Sequence, residues 1–473
     1  MTKSLIIRGG DVVTASDTFR ADVLIRDGKV VAVGTDKDWV ADEVIDATGH
    51  LVLPGGIDTH THFEHHNLTG STRTADDFRT GSAAAAVGGT TTFVDFVRGL
   101  PGESLIDAFT RRRDAAEQSS IIDFGFHPMV PATAMDDDAF DQLRYLTSEF
   151  GTTSWKFFMA YTGLMVSDDV LIRGFRLARE LGVVPMVHAE NGHMVGAAVD
   201  TLVDEGHTEE HHHMHGHPVA AEREAIVRAA AIAEFVDTPL FIVHVSSAEG
   251  AGEIEALQSR GRPVFGETCP HYLVTGYEDY EGEGFEAAKF ICSPPIRERK
   301  HQEPLWNALA TGVLGSVGTD HATYTMDQPD DLLPQKPQGR GFFPKIPPGV
   351  PGAQERLMVM YEHGVAAGRF GINRFVDMIS TNPAKMFGLY PQKGTVAPGS
   401  DADIVVWDPS ANHTISADEQ KSRAGYTLYD GMAVRGAPRH VFSRGEQIVR
   451  DGALQNNLHG HGKYLHRKPY TPA

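Results

Sequence analysis

Eight apolar runs that do not alternate with polar residues constrain this chain more than any other feature. They read LPGGIDTHTH, GTTTFVDFV, IIDFGFHPMV, SWKFFMAY, VVPMVHAE, PLFIVHVS, RPVFGETCPHY and GVLGSVGTDHA. A strand without alternation is covered on both faces, which is the condition of a parallel sheet. Helix-like stretches such as DDFRTGSAAAAVG and AAEREAIVRAAAIAEFV fall between most of them. Eight strands with helices between them fit a (β/α)8 TIM barrel of the α/β class, spanning residues 54–389. A doubly wound open sheet is the alternative, and the strand count favours the barrel.

Both ends of the chain have a different texture. SLIIRGGDVVTA, ADVLIRDGKVVAVG and ATGHLVLPG are short β-rich runs broken by Gly and Asp turns, and the texture returns in KGTVAPGSDADIVVWD and APRHVFSRGEQIVRDG. Such runs predict antiparallel strands. Residues 1–53 and 390–473 are therefore expected to build one small β-sandwich domain together.

The ionisable residues of the runs fall where barrels place their active sites, at the C-terminal ends of the strands. The first run ends with His60 and His62, whose side chains share one side at a two-residue spacing. The fourth carries Lys156, the fifth His188, the sixth His244 and the last Asp320. Singly, each has an ordinary structural explanation, such as a hydrogen-bonded core histidine or a helix cap. Together, four imidazoles and a carboxylate at one barrel mouth suit Zn2+, Mn2+ or a similar divalent ion. Six donors exceed the needs of one catalytic zinc and suit a two-metal site. Lys156 is the odd member, because a protonated lysine cannot ligate a cation and an unpaired ammonium is costly to bury.

Composition narrows the partners. Lys and Arg number 42 against 63 Asp and Glu, a net charge of −21, which argues against nucleic acid and anionic membranes. No apolar stretch approaches transmembrane length, and the apolar run at the N-terminus is too short for a signal sequence. Two cysteines, Cys269 and Cys292, cannot make a disulfide framework, so a cytoplasmic setting is expected. Among 24 histidines, the patch HTEEHHHMHGHP reads as a solvated loop before a helix rather than a third metal site.

These segments carry a resemblance. GGIDTHTHFE, SWKFFMAYTG, VHAENG, HVSSAEG, ETCPHYL, CSPPIR, GTDHA, STNPAKMFGLYPQKGTVAPGSDADIVVWDP and FSRGEQIVRDG are similar to the dihydropyrimidinase and hydantoinase family of the amidohydrolase superfamily, over residues 1–455 or so. The resemblance implies a cyclic amidohydrolase that opens a hydantoin or dihydropyrimidine to an N-carbamoyl amino acid with a hydroxide held between two metals. It implies that Lys156 is N-carboxylated by CO2 and bridges those metals. His60, His62 and Asp320 would hold one, and His188 and His244 the other. Zn2+ is the expected ion, with Mn2+ and Co2+ as substitutes. Asp320 is implied as general base and then acid, Tyr161 as the oxyanion donor that also binds substrate, and Ser293 and Pro348 as backbone contacts to the substrate ring. A homotetramer is implied as well.

The competing readings stay within reach of the same residues. Dihydroorotase places an arginine two residues after its paired histidines, where this chain has Glu64. Allantoinase shares the metal ligands, but Tyr161 and the HAENG segment lean away from it. Non-enzymatic interaction proteins of this fold lack the ligands, whereas all six are present here. Departures from the usual pattern include Thr162, Pro348 in place of a common asparagine, and the His-rich loop FEHHNLTGSTRT after the first strand.

Overall fold

The computed structural model describes residues 4–35, 38–132 and 137–471, except the side chain of Asp137. All eight apolar runs form buried parallel strands: β1 (Gly56–Thr61), β2 (Thr90–Val97), β3 (Asp123–Pro128), β4 (Ser154–Phe158), β5 (Val184–His188), β6 (Leu240–Ile242), β7 (Val264–Thr268) and β8 (Ser316–Val317). β1 to β3 pair in order, as do β4 to β8. Two parallel bridges close the ring, Met129 with Lys156 and Thr61 with His321. Helices such as Leu105–Ser119, Asp168–Leu181 and Val219–Val236 cover the outside.

Strand alternation decides which side chains face inward. Trp155 and Phe157 of β4 join the large outer core with Val187 of β5 and Phe175 of helix Asp168–Leu181. Their neighbours Phe158 and Met186 belong instead to an inner cluster with Phe96, Met129, Val184, Phe241 and Phe387. Lys156 and His188 share the inward parity of Phe158 and Met186, so both rise from an apolar floor.

The β-sandwich unit is one continuous nine-stranded sheet drawn from both ends of the chain. Its joint is Leu51–Pro54 running antiparallel to Ile404–Trp407. Ile7, Val12, Val23, Val52, Ile404 and Val406 form its core. Buried Lys393 ties this unit to the barrel, with its ammonium 2.5 Å from Asp123 and 2.6 Å from Asp403. Beyond that sheet the chain returns to the barrel: Leu465 N donates to Phe124 O (2.8 Å), and Arg467 Nη1 donates to Ser154 Oγ of β4 (2.8 Å). No helix among the described residues is long and apolar enough to cross a membrane, and Cys269 and Cys292 are buried free thiols.

Candidate metal centre and active-site cavity

His60 and His188 lie in or at the ends of β1 and β5, and His62, His244 and Asp320 follow β1, β6 and β8 by one to three residues. Tyr161, His244 and Asp320 have φ of 71°, 41° and 50°, in the left-handed region that non-glycine residues rarely occupy. Such strain persists where surrounding structure dictates it, and it clusters at sites that hold ligands. All nine anticipated residues, Ser293 and Pro348 included, line one cavity of about 270 Å³ at the C-terminal mouth of the barrel.

Two groups of donors face that cavity. Ligand atoms of His60, His62 and Asp320 all lie within 4.8 Å of one another. Asp320 Oδ1 is 3.2 Å from His60 Nε2 and 3.0 Å from His62 Nε2. In the second group His188 Nδ1 faces His244 Nε2 at 3.0 Å. The His60 and His244 rings, 5.2 Å apart, join the two groups. Lys156 is buried between them, its Nζ 4.9 Å from the Phe96 ring centre and 5.2 Å from that of Phe158. Among the described residues, no carboxylate lies within ion-pair distance of it.

The electrostatics suit cation binding. Burial lowers His62 to about 4 and drives His188 and His244 down, so those imidazoles are neutral and free to ligate. Burial also opposes protonation of His60, but the carboxylates of Asp320 and Glu267 overcome it and raise that ring to about 9, so a cation at Nε2 would have to take the place of a proton there. Burial raises Asp320, yet His60 and His62 hold it well below the ordinary carboxylate value, so it is ionised. Burial alone pushes the Lys156 ammonium down to about 7 against the pull of Asp320 and Glu267.

Tautomers set by outer partners make the fit specific. His60 Nδ1 is hydrogen-bonded to buried Glu267, leaving Nε2 as the ligand atom. His188 Nε2 donates to Glu190 Oε2 (2.8 Å), leaving Nδ1 free to ligate. Two ring nitrogens opposed at 3.0 Å beside a carboxylate-oriented partner are what a cation between them would satisfy. The donor set therefore fits bound divalent ions.

The whole-chain comparisons agree with this chemistry. Residues 51–448 match the model of the amidohydrolase family. The chain belongs to that family. Within it, the chain is 42% identical over 471 residues to a D-hydantoinase of Geobacillus stearothermophilus, covering 99% of this chain and 97% of the relative. It is 39% identical to a dihydropyrimidinase of Rattus norvegicus, covering 99% and 89%. The crystal structure of a dihydropyrimidinase from Brevibacillus agri NCHU1002 superposes with a TM-score of 0.95 at 42% identity, covering 99% of this chain and 100% of the other. The likeness to hydantoinases and dihydropyrimidinases thus runs the full length of this amidohydrolase.

Sequence reasoning missed the groups behind the ligands. Glu267 sits in the run RPVFGETCPHY and Glu190 closes the run VVPMVHAE, where a carboxylate in an apolar run was the available signal. Thr319 Oγ1 donates to Asp58 Oδ2 (2.6 Å) and His321 Nε2 bonds Asp76 Oδ2 (2.9 Å), fixing the chain on either side of Asp320.

The His-rich patch departs from the solvated loop expected of it. Glu210–Met214 is a 3-10 turn, and His213 and His217 are buried. His213 Nε2 donates to Cys292 O (2.8 Å), and His217 Nδ1 donates to Glu190 Oε1 (2.9 Å). Acceptors inside the mouth, beyond the reach of a composition argument, draw these two rings in. Glu64 is not among the cavity-lining residues; its carboxylate is 3.5 Å from Arg73.

Proposed function

We propose that this amidohydrolase opens the ring of a cyclic ureide, a hydantoin or dihydropyrimidine, to an N-carbamoyl amino acid. The observation that supports it most is the convergence of His60, His62, Lys156, His188, His244 and Asp320 on one cavity with Tyr161 at its wall. Water adds across the ring C–N bond: its oxygen bonds the carbonyl carbon, the C–N bond breaks, and the nitrogen leaves as the NH2 of a ureido group.

His60, His62 and Asp320 would hold one divalent ion and His188 and His244 a second, with Zn2+ preferred and Mn2+ or Co2+ able to replace it. Such ions supply Lewis acidity and make a bound water acidic. We assign Lys156 as N-carboxylated: its neutral amine would add to CO2 and release a proton, giving an anionic carbamate able to serve as a further ligand. Its burial and its lack of a carboxylate partner support this. Asp320 takes the proton of the attacking water and returns it to the departing ring nitrogen. Tyr161 is held protonated by burial and by Glu190, so its hydroxyl can donate to the developing oxyanion. Ser293 and Pro348 offer backbone groups to the ring.

The same reading divides the chain into a barrel of residues 54–389 and a flanking unit of 1–53 with 390–473, and expects a cytoplasmic homotetramer. Elemental analysis and turnover of hydantoin, dihydrouracil and allantoin test the core of it. Active protein holding no metal, or a Lys156→Ala variant retaining full metal content and activity, would overturn it.

A further inference from the structure

Among the described residues, Arg98, at the rim of β2, is the one arginine of its neighbourhood without an acidic partner. Arg73 is 3.5 Å from Glu64, Arg111 is 2.8 Å from Glu103, and Arg112 is 2.9 Å from Asp95. Among the described residues, Arg98 has no carboxylate within ion-pair distance, and its hydrogen bonding is a single donation to the backbone carbonyl of His66. The guanidinium is half-buried and lines the metal-centre cavity. It also lines a second cavity of about 650 Å³ that shares Leu68, Met129, Phe158 and Leu164 with the first. A cation held at the junction of two cavities, with most of its five donors unused, asks for an anion from outside the chain.

The groups that face Arg98 sharpen the request. Burial lowers it to about 10, and the largest opposing influence is a phenol, Tyr324, which lines the same cavity. Burial raises Tyr324 to about 12, so its hydroxyl is protonated and available as a second donor. His65 and His66 are both driven down by burial, so neither competes as a cation. Arg112 adds only like charge. Further out, Glu103 and Asp138 line the second cavity. Glu103 is committed to Arg111, and Asp138 Oδ2 accepts from Gln142 (2.8 Å). An anion is therefore welcome at Arg98 and unwelcome farther along.

We propose that Arg98 is a specificity-determining residue that receives an anionic group on the ring substituent, so that short-chain acidic cyclic ureides, such as 5-carboxymethyl- and 5-carboxyethylhydantoin, are preferred substrates. The inference rests on the hydrolase reading above and deepens it. Hydrolysis would then yield N-carbamoyl amino acids with acidic side chains.

The test compares 5-carboxyethylhydantoin with its uncharged amide isostere, 5-carbamoylethylhydantoin, on metal-loaded native protein and on Arg98→Met. The native protein should favour the acid in kcat/KM by at least tenfold, the scale of one charge-assisted hydrogen bond. Arg98→Met should lower that ratio by at least tenfold, chiefly through KM for the acid, with metal content retained, and Arg98→Lys should restore part of it. Calorimetric titration with N-carbamoylglutamate provides a readout apart from turnover, with binding at least tenfold weaker in Arg98→Met. An acid no better than its amide, or a ratio unmoved by Arg98→Met, overturns the proposal. If no hydantoin turns over, the hydrolase reading falls instead, and the titration alone decides Arg98.

Discussion

His217 donates from Nδ1 to Glu190 Oε1 at 2.9 Å, and the other oxygen of that carboxylate accepts from His188 Nε2 at 2.8 Å. One buried carboxylate thus orients a candidate metal ligand while itself being held by a residue of the histidine patch. The Tyr161 hydroxyl lies 3.4 Å from the same carboxylate. His217→Leu should therefore weaken metal held by His188 and His244 by about 10–100-fold, the usual cost of losing a support behind a ligand. His217→Asn, which keeps a donor, should recover part of it. Metal per chain after dialysis against a graded chelator is the measurement. Native retention in His217→Leu would show that Glu190 needs no support.

Glu267 plays the corresponding part behind His60, and the two positions are 207 residues apart in sequence. Glu267→Gln should weaken the group formed by His60, His62 and Asp320 on the same 10–100-fold scale. Cobalt-loaded protein should show altered visible absorption, because His60 loses the carboxylate that orients it and raises its basicity. An unchanged spectrum and affinity would remove Glu267 from the centre.

Tyr161 offers a cleaner kinetic test. Deleting one donor to a developing oxyanion costs on the order of 10²–10³ in kcat. Tyr161→Phe should lose about that factor while keeping its metals and its circular dichroism. Unchanged kcat would make Tyr161 a packing residue.

Lys336 gives a pH prediction away from the metals. Burial lowers its ammonium to about 7, and among the described residues its one hydrogen bond is to Ile291 O at 3.4 Å. The folded pKa lies below the unfolded value, so the unfolded chain binds more protons between about pH 7 and 10.5 and stability rises with pH through that window. Lys336→Met should raise Tm at pH 7 and gain progressively less toward pH 10. A gain that does not change with pH would mean that Lys336 is not buried as a charge.

The barrel was legible because burial on both faces leaves unbroken apolar runs, and because barrels gather their chemistry at strand ends. Even β8, reduced to Ser316–Val317, was marked by the polar GTDHA that follows it. Glu190, Glu267 and His217 were not, since a carboxylate or imidazole acquires such a role only through a partner that tertiary packing supplies. The final tail illustrates the same limit. HGKYLHRKPY lies within the residues 390–473 expected to join the small domain, yet Arg467 reaches Ser154 of the barrel and Tyr464 stacks 6.3 Å from Phe126.

The ring closes where Thr61 bridges His321, and the residues flanking that bridge are His60, His62 and Asp320. An open or slipped barrel would keep every strand and still lack this donor group. Metal uptake is then a check on assembly as well as a step toward activity. A nascent chain cannot complete the group until its last barrel strand has been made and has found its first.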